Sequence, residues 1–197
     1  MAYQLHSDHG CLPVERQVMR YVSIDPGQDN FVIRIEKRVK SVVSSKCSQV
    51  RTLEQDKHII SFKNKKSSWL VQLHIVLGSY SKYYPDVDIA LIERQLADNT
   101  KMKCMEAALA SYFIIKWPNM VVVDLSPKLK TDIFAVEKMT YNQKKKWSPD
   151  IANKLTKKRG DTLYNERIAT RDKIDDDADS LVQIEAFCIH VGYAGTI

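Results

Sequence analysis

Residues 21–35 read YVSIDPGQDNFVIRI, and this stretch sets the fold. Tyr21 to Asp25 is a short β-forming run that ends on a carboxylate and is stopped by Pro26-Gly27. Beyond the turn, Phe31, Ile33 and Ile35 fall at every second position, the period of a strand with one buried face. Together the runs predict a β-hairpin whose first strand delivers Asp25 to its end. Further along, a third strand is expected among Val39 to Val43 or His58 to Phe62, with the Ser/Lys/Gln-rich stretch between them a loop. Leu70, Leu73, Val76 and Leu77 follow the spacing of an amphipathic helix over 68–80. Val87 to Glu93 is a mostly apolar strand that again ends on a carboxylate. Met102, Met105, Leu109 and Phe113 give the next helix its core stripe, and Trp117-Pro118 closes it. Met120 to Leu125 reads as a further buried strand stopped by Ser126-Pro127; a short helix is expected after Pro149, and a last one from Ile174 to about Val191. The order predicts an α/β fold, a mixed five-stranded sheet flanked by helices.

A chain of 197 residues, 44% hydrophobic, can bury one substantial core, so residues 18–197 are read as one domain and 1–17, which lack periodicity, as a tail or lead-in. The longest apolar runs, such as Ile89 to Ile92, are far shorter than the roughly 20 residues of a membrane-spanning helix. The first residues lack the apolar core of a secretory signal, which predicts an intracellular protein of cytoplasm or nucleus. Cys11, Cys47, Cys104 and Cys188 are scattered without a CxxC pair, so all four are expected to be reduced thiols. Net charge is +6, and it is concentrated. Between Lys128 and Arg159 stand ten Lys and Arg against Asp132, Glu137 and Asp150, a net of +7 that leaves the remainder at −1. Such a segment suits a polyanion whose condensed counterions it can release, or else forms a solvated lysine-rich surface. Lys128, Lys130, Lys144, Lys154, Lys157, Lys158 and Arg159 are the candidate contacts to such a polyanion, with Lys101 and Lys103 beside them. Tyr141, Trp147 and Tyr164 are candidates for stacking on bases or for ordinary packing.

Acidic residues supply the chemistry. Asp25 and Glu93 each end an apolar strand and would emerge at one sheet edge if those strands are neighbours. The run KIDDDADS, 173–180, opens the last helix, where Asp176 and Asp179 share a face and Asp175 and Asp179 could also do so. Taken singly each has an ordinary account: Asp25 as the turn-former of Asp-Pro-Gly, Glu93 as an ion-pair partner, and Asp175, Asp176 and Asp177 as carboxylates favoured at a helix amino end. Asp179, in the second turn, is not covered by that last account. Converging carboxylates repel one another unless they are protonated or neutralised by a cation. An all-oxygen set without His or Cys suits Mg²⁺ or Mn²⁺ better than zinc.

At these residues the sequence resembles the Holliday junction resolvases of large DNA viruses, particularly the poxvirus type, which are related to bacterial RuvC. SIDPGQDN (23–30) resembles their first-strand motif, ALIERQ (90–95) the strand with the catalytic Glu, VVDLSP (122–127) followed by YNQKKKWS (141–148) the strand and lysine-bearing segment before the final helix, and KIDDDADS the terminal acidic motif. The order holds from about residue 20 to 190, whereas residues 1–17 and the loop 44–57 are poorly matched and Trp147-Ser148-Pro149 interrupts the basic segment. The resemblance implies a ribonuclease H-like fold and a Mg²⁺-dependent endonuclease that resolves four-way DNA junctions by paired symmetric hydrolysis. It implies Asp25, Glu93, Asp176 and Asp179 as ligands of two Mg²⁺ ions, with Mn²⁺ as a substitute and Asp175 as an alternative ligand. The catalytic lysine is implied to be Lys145 or Lys146. A homodimer on branched DNA is implied too, with the helix 101–116 either at its interface or in the core, and no organic cofactor or membrane is expected. The rival readings are a broader branched-DNA, flap or RNA/DNA-hybrid nuclease on the same fold, and an inactive DNA-binding protein.

Overall fold

A computed structural model describes residues 3–5, 16–27, 29–40, 47–63, 67–134, 139–168 and 174–193, of which the side chains at 47, 48, 141, 144, 167 and 168 are not described. Strands β1 (Tyr3–Leu5), β2 (Val18–Asp25), β3 (Phe31–Lys40) and β4 (Cys47–His58) precede helix α1 (Trp69–Ser79), a 3₁₀ turn at Tyr84–Asp86 and β5 (Ile89–Glu93). Helix α2 (Thr100–Lys116), β6 (Val121–Leu125), α3 (Lys128–Phe134), α4 (Tyr141–Arg159), α5 (Thr162–Ile168) and α6 (Asp175–His190) complete the chain. The strands form one sheet in the order β1-β6-β5-β2-β3-β4. Its centre, β2, β5 and β6, is parallel, while β1, β3 and β4 pair antiparallel.

Each strand's two faces feed different layers. Phe31, Ile33 and Ile35 join Val22, Ile24, Ala90 and Ile92 against α1 and α2, with Met102, Met105, Leu109 and Phe113 as the helical side of that core. The methionine-bearing stripe of α2 is therefore intramolecular core, and not an interface. On the opposite face, Tyr21, Ile89, Leu91 and Val123 pack against Ile184, Phe187 and Cys188 of α6. The sheet is thus covered on both sides, as its parallel centre requires.

Several expectations change. The sheet has six strands: Tyr3–Leu5 pairs antiparallel with β6, in register from Tyr3 opposite Leu125 to Leu5 opposite Val123, and Tyr3 packs on Phe187. Three residues are too few to show a period, which is why this strand reads as tail. The expected third strand lies neither among Val39 to Val43, where β3 ends at Lys40, nor over His58 to Phe62. It is the twelve-residue edge strand β4, most of which falls in the stretch up to residue 57 read as a loop. Its polar sequence masks it, because much of its inward face meets charged partners rather than apolar ones. Lastly, α4 runs through Pro149 instead of starting after it, and a capping box between Thr140 and Gln143 opens it. Leu70, counted as core, is 42% exposed, whereas Leu73 and Leu77 are fully buried.

Gly27 has a local reason. A Cβ there would lie 2.8 Å from the Asn30 carbonyl oxygen, so the turn between β2 and β3 admits only glycine without rearrangement. Cys188 is buried and Cys104 exposed, both as free thiols, while Cys11 and the side chain of Cys47 lie outside the described residues. No helix among the described residues is long and apolar enough to cross a membrane.

Candidate active site

Parallel pairing brings the first two carboxylates together. Ile24 is in register with Ile92, so the next residues, Asp25 of β2 and Glu93 of β5, stand side by side at the carboxyl ends of adjacent strands. Helix α6 lies across the β2, β3 and β4 side of the sheet, and its first two turns bring Asp176 and Asp179 to the same edge. The result is electrostatic conflict around Asp25. Burial, the neighbouring Glu93 and then Asp179 and Asp176 push its carboxyl well above the ordinary carboxylate range, against the pull of Lys130.

Lys130 sits inside this cluster. Its ammonium donates to Glu93 Oε2 at 2.9 Å and lies 3.4 Å from Asp179 Oδ2, with only 8% of its side chain exposed. Burial alone would discharge it, but Glu93, Asp179 and Asp25 outweigh that and hold it protonated, its pKa raised. Charge alone places Lys130 among the DNA contacts. The structure instead turns it inward from the first turns of α3, directly after β6. The available signal is its position just beyond a buried strand that neighbours the Glu93 strand.

The remaining acids each have a distinct partner. Asp176 Oδ2 accepts from Lys57 of β4 at 3.0 Å, and Asp179 Oδ1 accepts from the Ser148 hydroxyl of α4 at 2.6 Å. Asp175 faces Lys145 at 3.8 Å. Asp177 is fully buried and accepts from the Gln55 amide. The amino end of α6 has no side-chain cap, so the three aspartates of its first turn meet its dipole without serving as N-cap. Asp176 acts on Asp25 while Asp175 is turned to α4, which separates the two candidates geometrically.

Lys145 and Lys146 also part company, since Lys145 lies beside the acidic turn and Lys146 is exposed without a contact to it. Of the other basic residues, Lys128, Lys154, Lys157 and Lys158 are exposed. Arg159 is not a surface contact: it turns inward to pair with Glu185 of α6. The side chains of Lys144 and Tyr141 lie outside the described residues. Tyr164 is fully buried beneath the Arg34 guanidinium, 5.6 Å from its ring centre, and presents no open face for bases, while Trp147 is partly buried and packs on Phe134.

Beneath the acidic turn runs a dry polar network. Arg34, Glu36 and Arg38 alternate along β3 and all face α6, fully buried. Arg34 pairs with Glu36 at 2.7 Å, Glu36 with Arg38 at 2.6 Å, and Arg38 with Glu185 at 2.7 Å. Burial opposes the Glu36 charge, but Arg38, Arg34 and Arg159 together lower its pKa to about 2.

Oxygen-only donors of this kind fit a hard divalent cation. Among the described residues no three acidic, His or Cys side chains converge closely enough to form a finished cage, and the Lys130 ammonium lies between Glu93 and Asp179.

No protein-family model matches the sequence, and no curated protein is detectably similar to it in sequence. The fold, by contrast, is shared with solved structures. The fowlpox virus Holliday junction resolvase superposes with a TM-score of 0.61 at 17% identity, over 88% of this chain and 99% of that one. RuvC of T. thermophilus in complex with Holliday junction substrate gives 0.57 at 14% identity, over 91% and 99%. The yeast mitochondrial Holliday junction resolvase gives 0.55 at 19%, over 92% and 81%. The ribonuclease H-like α/β fold expected from the sequence motifs is the fold observed.

Proposed function

We propose that the chain is a divalent-metal-dependent endonuclease that resolves four-way DNA junctions. The observation that carries this reading is the meeting of Asp25, Glu93, Asp176 and Asp179 at one sheet edge, in a fold shared with junction resolvases. Four carboxylates on a surface meant for phosphate oppose binding unless cations neutralise them. These four would hold two Mg²⁺ ions, which supply an activated water on one side of a phosphodiester and a stabilised leaving oxygen on the other.

The chain's own residues do the rest. Lys130 lies between Glu93 and Asp179 and would offer positive charge at the scissile phosphate. Lys145, beside Asp175, is the better placed of the two candidate lysines on α4. Ser148 fixes the rotamer of Asp179. Lys154, Lys157 and Lys158 line the exposed side of α4, roughly 9 to 15 Å along the helix from Ser148 and the acidic edge at 1.5 Å per residue. This is the track expected for a DNA arm. Replacing all three with alanine should weaken junction and duplex alike and reduce the salt dependence of binding. The slope of log K against log salt should fall by about 0.9 for each phosphate that is no longer neutralised. An unchanged slope in a titration series would remove α4 from the interface. Two matched nicks need two sites, so the reading includes a homodimer.

One observation favours a second reading. An ammonium bonded into the carboxylates can replace the cation permanently, leaving a junction-binding protein without hydrolysis. Cleavage of a labelled synthetic four-way junction, beside a linear duplex and a flap, separates the two. Paired symmetric nicks in the junction alone, dependent on Mg²⁺ and lost in EDTA, are expected. Cutting of every branched substrate would broaden the specificity, and tight binding without cutting would establish the inactive protein.

A further inference from the structure

We propose that Gln55 is a positioning residue for the metal-binding pair Asp176 and Asp179, an inference that rests on the metal-centre reading above. Helix α6 carries both aspartates in its first two turns, yet its amino end has no side-chain cap to anchor it. An anchor comes from the sheet. The Gln55 amide Nε2 donates to the Asp177 carbonyl oxygen at 3.1 Å and to its carboxylate Oδ1 at 3.0 Å. The other end of the same amide, Oε1, accepts from the fully buried Arg34 guanidinium. Arg34 is itself held by Glu36, Thr52 and Asp161. The backbone between the two proposed metal ligands is thereby tied through one neutral side chain to a fully buried guanidinium with several partners in the sheet.

Strand geometry makes the tie. Ile35 pairs with Glu54 but Glu36 pairs with Thr52, so Leu53 is an extra residue in a bulge. In a regular strand Thr52 and Gln55, three apart, would point to opposite faces. The bulge puts both on the α6 face with Lys57, whose ammonium reaches Asp176, while Leu53 packs on the far side. Only an amide suits position 55. It must accept from a guanidinium at one end and donate to a carbonyl and a carboxylate at the other, and a carboxylate there would face Asp177 with like charge.

Mn²⁺ binding to the full chain, followed by calorimetry without DNA, tests this. Gln55→Met removes the donors at similar volume, and Gln55→Glu adds the repulsion. Both are expected to weaken Mn²⁺ by about tenfold or more, the glutamate more severely, as for other outer groups that orient metal ligands. Junction binding in EDTA should stay at the wild-type level. Adding Asp177→Asn to Gln55→Glu restores a donor opposite the new carboxylate and should recover part of the loss, which general destabilisation would not. Folding is checked by thermal unfolding, and Gln55→Met carries the test if the glutamate variant does not fold. Wild-type Mn²⁺ affinity in a folded Gln55→Met protein overturns the proposal alone. Absence of Mn²⁺ binding in the wild type overturns the metal centre itself, and the proposal falls with it.

Discussion

Asp179→Asn is expected to cut junction cleavage by about a hundredfold to a thousandfold while leaving junction binding intact. The substitution preserves shape, so the Ser148 hydroxyl keeps an oxygen to donate to at the 2.6 Å position, and α6 keeps its packing. What it removes is one negative charge from a set that acts jointly on Asp25. Three consequences follow from that charge. The metal pair loses a ligand of full charge, Lys130 loses its partner at 3.4 Å and turns wholly to Glu93, and Asp25 is relieved of part of the repulsion that raises its pKa. The first governs catalysis. Loss of one preorganised charged element typically costs a hundredfold to a thousandfold in rate, and about that loss is expected in single-turnover cleavage at saturating protein. Affinity in EDTA should hold or rise slightly, because a carboxylate near a phosphate has become neutral. A variant that nicks the junction at the wild-type rate would remove Asp179 from the site, and with it the pairing to Asp176 on one helix face.

The pattern of the sequence explains which parts of this site can be read in advance. Asp25 and Glu93 are legible because each interrupts an apolar strand at its last residue, and a charge there costs stability unless it has work to do. The Asp176 and Asp179 spacing is legible for the same reason, on a helix otherwise buried from Ser180 to Cys188. Between Asp176 and Asp175 helical spacing does not decide, since it allows both; the resemblance favours Asp176, and the structure turns Asp176 to Lys57 and Asp175 to Lys145. Lys130 is visible only as one more positive charge in a basic segment. Nothing local distinguishes it from Lys128, which is exposed two residues earlier. The difference is one of helical phase, because the turn after β6 points one of the two at Glu93.

Alternation misleads in β3 and β4. Arg34, Glu36 and Arg38 opposite Phe31, Ile33 and Ile35 form the ordinary pattern of a strand with one wet face, and charged residues are seldom fully buried. Here the wet face is covered by α6, and its charges are paired with residues far along the chain, Arg34 with Asp161 and Arg38 with Glu185, which Arg159 also meets. Arg34, Asp161 and Asp177 explain β4 in the same way, bonding Thr52 and Gln55, which are buried although their sequence context is that of a loop. A period detects which residues share a face, and does not tell what lies on it.

Glu36→Gln provides the largest expected effect on stability, because Glu36 lies between two guanidiniums with no exposure of any of the three side chains. The substitution is isosteric and opens no cavity. It removes the negative charge that Arg34 and Arg38 share, leaving Arg34 with Asp161 at 3.4 Å and Arg38 with Glu185. Breaking one partner of a buried pair costs about 3–5 kcal/mol, since the remaining charge stays desolvated. For a domain of this size that corresponds to a fall in Tm on the order of 10 °C. The acid limb gives a second, independent reading. Glu36 is held at about 2 in the folded protein, below the roughly 4.3 of a free glutamate, so its ionised form stabilises the fold above pH 4. That contribution is lost as pH falls from about 4 through about 2, when the folded protein must finally take up the proton. The glutamine variant has no such proton to bind, and its stability should therefore fall less steeply than the wild type over that interval. Denaturant melts at pH 7 and at pH 3 on both proteins measure the two effects together. A pH 7 difference below about 1 kcal/mol, the range of exposed pairs, would mean that water reaches the network and that α6 is not sealed onto β3.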